Sequence, residues 1–214
     1  MAQGFMQPKG TLVARKMTLR RAPLAWRLRN TLRWGFIRGW VAAHLVAPFA
    51  NAWGVATMIG EVRAVLIKGD TGERINYGVL SYRVITDAGV AFLVDDWDNS
   101  VTDLTTLNFH GCGTGSTAEA VGNTALVTES TTALNPDSTR ATGTRSQPTA
   151  NQYRSVGTLT FDADAAVVEH GLFSASGTGT GTLWDRSVFA AINVVGANSD
   201  SIQFTYTATL SSGG

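Results

Sequence analysis

The chain is short of charge. Only 15% of its 214 residues are Asp, Glu, Lys or Arg, well below the quarter usual for a soluble domain. Gly, Thr, Ser and Ala take up the difference. Such a surface suits a β-rich body packed into an assembly better than a freely diffusing helical enzyme. One cysteine, Cys112, excludes an internal disulfide and a cysteine-built zinc site. The three histidines, His44, His110 and His170, are scattered, and no two have the spacing of a metal-ligating pair. No lysine occurs from 69 to 214, so that stretch cannot hold a Walker-type phosphate loop. No acidic residue occurs in the first 60, which carry nine Lys or Arg. The rest carries eight basic and sixteen acidic residues, so the two parts stand at +9 and −8. This asymmetry marks a basic arm that meets an anionic surface, whether nucleic acid, lipid or the acidic face of a neighbouring subunit.

What is present in that arm is periodic. Over residues 11–47, Leu24, Leu28, Leu32, Phe36 and Trp40 recur every fourth position, and Ile37, Val41 and Leu45 extend the stripe. This is the pattern of an amphipathic helix. Arg27, Arg33 and Arg38 lie largely off the stripe, and Trp26, Trp34 and Trp40 add aromatic surface. Pro23 suits the helix start and Pro48 is expected to stop it. The uncharged run 39–60 has the length of a membrane span, but Pro48, His44, Asn51 and several glycines dilute it. The expected role is an arm whose apolar stripe docks on its own domain or on a neighbour. Its interface candidates are Trp26, Arg27, Arg33, Trp34, Arg38 and Trp40. Membrane contact is not favoured, and the stretch lacks the base-reading patterns of a DNA-binding motif.

From residue 59 the period changes to two. EVRAVLIKGDTGERINYGVLSYRVIT reads as a hairpin, with strand residues through 67, a turn over KGDTGE and a second run over 79–85. TDAGVAFLVDDWDNSV reads as a short helix capped by Thr86 or Asp87, with Val90, Leu93, Val94 and Trp97 on one face. Further strands are expected over 155–163, 166–175, 187–195 and 201–210. In the last, Ile202, Phe204, Tyr206, Ala208 and Leu210 alternate with polar residues. Residues 128–152, rich in Thr, Ser, Asn and Pro, read as a long surface excursion. The expected fold is mainly β: an antiparallel β-sandwich or jelly-roll-like body over 59–214 with a short helix, preceded by a basic, partly helical arm over 1–58.

Candidate chemistry concentrates in NFHGCGTGS, residues 108–116. Gly111, Gly113 and Gly115 give GxGxG, not the dinucleotide fingerprint, and no strong helix follows. His110 and Cys112 would share one face of a strand, but no third group orients them as a nucleophile and base. The three glycines are therefore read as a structural turn that lets the backbone approach a neighbour. Asp95, Asp96, Asp98 and Asp103 lack the EF-hand spacing and read as a solvated helix end. Glu169 and His170, adjacent on a strand, face opposite ways. No catalytic, cofactor-binding or metal-binding residue is assigned.

Several ordered blocks carry a resemblance: NYGVLSYRVITDAGVAFLVD (76–95), NFHGCGTGSTAEAVGNTALVTE (108–129), NPDSTRATGT (135–144), YRSVGTLTF (153–161), EHGLFSAS (169–176), LWDRSVF (183–189) and DSIQFTYTATL (200–210). Over about residues 60 to 214 the chain resembles a family of tailed-bacteriophage virion proteins. The resemblance implies a β-rich assembly module without enzymatic activity. It points to a capsid decoration (cement) protein, or alternatively a tail, neck or fibre-base component. The partners implied are the major capsid protein, other virion proteins and further copies of the chain, a trimer being favoured. The location implied is the virion, at the capsid surface rather than the tail. A different class, a membrane- or nucleic-acid-associated protein acting through the basic arm, is the remaining alternative.

Overall fold

The computed structural model describes residues 19–82, 84–98 and 103–213. Residues 11–18 of the expected helical stretch and 99–102 of the acidic segment lie outside them. The chain is mainly β. Its elements in order are β1 (Leu19–Arg21), α1 (Leu24–Thr31), α2 (Trp34–Val41), α3 (Ala47–Ala52), β2 (Thr57–Ile67), β3 (Arg74–Tyr82), β4 (Val84–Ile85) and α4 (Asp87–Trp97). After α4 come β5 (Phe109–Gly113), β6 (Ala141–Thr142), β7 (Thr144–Ser146), β8 (Gln152–Thr160), β9 (Ala165–Phe173), β10 (Leu183–Val194) and β11 (Ser201–Ser211).

Two sheets result, one ordered β1-β3-β2-β11-β8-β7 and the other β4-β10-β9-β5-β6. The first is mixed rather than purely antiparallel, because β1 runs parallel to β3. Period-two patterning sets the inner faces. In β2, Val62, Ala64 and Leu66 are buried, and β11 opposes them with Ile202, Phe204, Tyr206 and Ala208. From the second sheet Leu172, Phe189 and Ile192 complete the same core. Leu210, expected on this face, is half exposed, since β11 has run past the core by that point.

The hairpin turn is where its composition places it. Lys68 and Glu73 close it, with Lys68 N–H donating to the Glu73 carbonyl at 2.9 Å. The returning strand starts at Arg74 rather than Val79. Residues 128–152 run mostly exposed, as expected, but the excursion is pinned to the body at a few points. Leu134 and Arg140 in it are buried, and β6 and β7 pass from one sheet to the other through Gly143. A Cβ on Gly143 would collide with Ser155 Oγ and lie 2.8 Å from His110 Nε2, so only glycine fits this crossing.

The arm segment departs from its expected form in three ways. Pro23 does precede α1, but the helix breaks at Leu32–Arg33, where Arg33 is extended. Pro48 does not stop α3. A π-helical turn over Ala42–Val46 precedes it, and this wider turn accommodates a residue that cannot donate to the carbonyl four positions back. Third, only part of the large apolar stripe docks on the chain's own described residues: Phe36 packs edge-on against Tyr82, whereas Leu24, Leu28 and Leu32 are 66%, 52% and 73% exposed. Two other sets of side chains hold the arm. From α1, the Trp26 indole N–H donates to the Ala191 carbonyl at 2.8 Å, and Asn30 accepts from Ala190 N–H at 2.9 Å and donates to the Leu80 carbonyl at 2.9 Å. The contacts to Ala190 and Ala191 fall where β10 carries an irregularity between Val188 and Ile192, so the arm satisfies backbone groups that the ladder leaves over. From α2 and α3, the small residues Gly35, Gly39, Ala43 and Ala47 face the body. At Gly39 an added Cβ would lie 2.5 Å from the Tyr82 carbonyl.

Candidate functional site

The side chains that would suggest catalysis meet inside the sandwich. β5 carries His110 and Cys112 inward, β9 carries His170 and β8 carries Ser155. His110 Nδ1 lies 3.0 Å from His170 Nε2, and His110 Nε2 lies 2.9 Å from Ser155 Oγ. On paper this is a serine–histidine–histidine relay. All three side chains are fully buried between the sheets, and burial holds the His110 imidazole down to about 3, so it is neutral at physiological pH. Burial likewise pushes the Cys112 thiol up to about 12, far from the thiolate a nucleophile needs. The relay is a hydrogen-bonded core element joining the two sheets.

Around it, carboxylates pin the loops. Glu169 points away from His170, as strand alternation demands, and is completely buried. Its Oε1 accepts the Gly115 and Thr128 amides at 3.0 and 2.8 Å, and its Oε2 accepts Val127 N–H at 3.1 Å. Arg186 closes the pair at 2.8 Å and donates onward to the Thr117 carbonyl and to Asn123. A second fork, Arg140 on Glu129 at 2.6 and 3.0 Å, stacks 3.4 Å over the Phe173 ring, which adds a cation–π contact to a bidentate pair. Gly111 and Gly113 are strand residues of β5 and Gly115 lies just past its end, so these glycines do not form the expected turn. Their purpose is close approach: a Cβ on Gly113 would strike the Thr128 carbonyl, and one on Gly115 would lie 2.6 Å from Glu169 Oε1.

The acidic segment has local partners. Asp96 accepts Leu104 N–H at 3.0 Å and Asp103 accepts Thr105 N–H at 2.7 Å. Among the described residues, no group of three His, Cys, Asp or Glu is gathered to hold a metal ion, and no helix is long and apolar enough to cross a membrane.

The outside offers the stronger candidate. Trp34, Ile37, Trp40, Leu45, Phe49 and Trp53 are exposed along α2 and α3, Trp34 and Trp53 by 74% and 75%. Arg38 is exposed on α2 among them, Arg27 is exposed on the preceding α1, and Arg33 is half buried at the junction. Five of the six interface candidates thus lie on or beside this exposed surface, whereas Trp26 is committed to the body. Comparison with protein-family models, with curated proteins and with solved structures finds no match.

A second exposed strip lies on α4, whose apolar face the sequence shows without telling which way it points. Thr86 caps α4 as expected, accepting Gly89 N–H at 2.9 Å. Its buried residues, however, are Gly89 and Phe92, while Val90, Val94 and Trp97 face outward. Of the expected face, Leu93 packs against the core while the other three are left uncovered. In α2 and α4 the glycines on the opposite side, Gly35, Gly39 and Gly89, were the available signal.

Proposed function

We propose that this chain is a structural protein of a tailed-phage particle, most specifically a capsid decoration (cement) protein that stabilises the shell by subunit–subunit contact. In this reading the body is a jelly-roll-like assembly module without enzymatic activity. It needs no cofactor and reads no specific nucleic acid. Its partners are the major capsid protein or other virion proteins, together with further copies of itself, and its place is the capsid surface. The observation that carries the proposal is the contiguous run of exposed large apolar side chains on the arm helices, flanked by arginines. Monomers rarely leave a large apolar patch uncovered, and such patches mark interaction sites. The sequence blocks that resemble tailed-phage virion proteins give that interface its setting.

Electron microscopy of intact particles tests it. Density for the chain at hundreds of copies on the shell supports the decoration role, whereas a few to a dozen copies at the neck or tail overturns it in favour of a tail component. Anchoring by the arm is tested with Trp34→Ser and Trp53→Ser rather than by deletion, because deletion would also remove Trp26 and Asn30 from the core. Unchanged capsid occupancy in that variant would sink the arm's anchoring role.

A further inference from the structure

The two exposed strips lie on neighbouring ground. Glu119 sits against Gly35 at the start of α2, and two residues on, the Val121 carbonyl accepts Asp87 N–H at the start of α4 at 2.9 Å. One loop therefore links both helix starts. The strips carry opposite charge. The arm helices, residues 24–53, contain four arginines and no acidic residue, whereas α4 and its cap, residues 87–98, contain four aspartates and no basic residue. On α4, Asp87 and Asp98 are exposed at either end of the apolar row Val90, Val94 and Trp97. An apolar cleft of about 350 Å³ opens beside that row, lined by Leu93, Trp97, Leu107, Tyr153 and Leu210 among others. The Tyr153 hydroxyl there is already engaged, donating to the Leu107 carbonyl at 2.6 Å.

We propose that these strips bind each other between two copies: the arm helices of one chain lie on α4 of a second. The occupant of each strip is a second copy of this chain. Arm on arm would stack arginine against arginine, and α4 on α4 would stack aspartate against aspartate. Only arm on α4 brings opposite charges around two apolar rows, which is what fixes register and excludes wrong pairings at an interface. The cleft next to Trp97 receives an aromatic of the kind the arm exposes, as a buried anchor does in a pocket. An anionic membrane would suit the arm but repel α4. A basic strip beside an acidic one is self-complementary, so the contact can close as a symmetric assembly. The inference rests on this chain's own surface and stands whether or not the assembly belongs to a virion.

The test is sedimentation velocity on the full-length chain at micromolar concentration and low salt. Wild type sediments as an oligomer. Arg27→Glu with Arg38→Glu, and separately Asp87→Lys with Asp98→Lys, each weaken association by about tenfold or more. An equimolar mixture of the two variants restores it, because each reversed strip then meets a complementary one. Val94→Lys, on an exposed position, repeats the α4 effect without touching a helix end, and thermal unfolding checks that every variant folds. A monomeric wild type, reversals without effect, or a mixture that fails to recover overturns the proposal. So does a chain that stays monomeric yet co-sediments with phosphatidylserine vesicles, a result that would assign the arm to lipid.

Discussion

The interior of the β body and the helices outside it invert the usual placement of charge and apolar surface. Inside, Glu169, Arg186 and Arg140 are fully or almost fully buried, each with several partners, and they hold loops 114–129 and 175–180 against the sheets. Outside, Trp34, Trp53 and Trp97 are about three-quarters exposed. A buried ion pair is weak support for stability unless its hydrogen bonds are complete, and here they are. An exposed tryptophan row contributes little to a lone chain and a great deal to an interface. The body is thus finished within one chain, whereas the helices keep large apolar side chains that the described part of the chain does not cover.

That contrast can be broken most severely at Glu169. Glu169→Gln leaves Arg186 buried without its counter-charge, and the expected loss is about 3–5 kcal/mol of unfolding free energy in a urea titration. A loss under 1 kcal/mol would mean that the pair is solvated. The next largest effect crosses the boundary between the regions: Asn30→Ala strands the Ala190 amide and the Leu80 carbonyl, at a cost of about 2 kcal/mol by the same titration. Were it silent, the arm would be an appendage rather than part of the fold.

Acid sharpens the interior side. The His110 imidazole is held to about 3 in the fold against 6.5 when unfolded. Below 6.5 the unfolded chain takes up a proton that the native chain refuses. The stabilisation is complete above pH 6.5 and is lost as pH falls toward 3, at up to about 1.4 kcal/mol per pH unit. His110→Gln should flatten that portion of the stability–pH curve. The smallest effect belongs to the exterior. Leu28→Ser should change monomer stability by no more than about 0.5 kcal/mol, measured under conditions where the chain is monomeric, and a larger loss would show that the outer stripe packs within the chain.

Much of the body was legible. The strict alternation of 201–210 placed β11 and its inner face down to Ala208, because side chains of a strand can point only two ways. Thr86 and Pro23 marked helix starts through local backbone chemistry that needs no tertiary partner. The glycines of 111–115 signalled close approach, though in a strand rather than a turn. Residues 128–152 do run mostly at the surface, as their polar composition suggests, but composition did not reveal that Arg140, buried on Glu129, pins the segment against the second sheet.

Period, turn residues and charge along the chain were enough for β2, the hairpin turn, the inner face of β11, the capped helix and the split between basic and acidic stretches, but not for β1, β5, β6 or β7. Which side of each helix faces the body is a matter of packing between distant parts of the chain. Periodicity reports that a helix has a large-apolar side and a small-residue side, and both can be buried. Here the body took the glycine and alanine side of α2–α3, where backbones can approach closely, and left the tryptophans facing out.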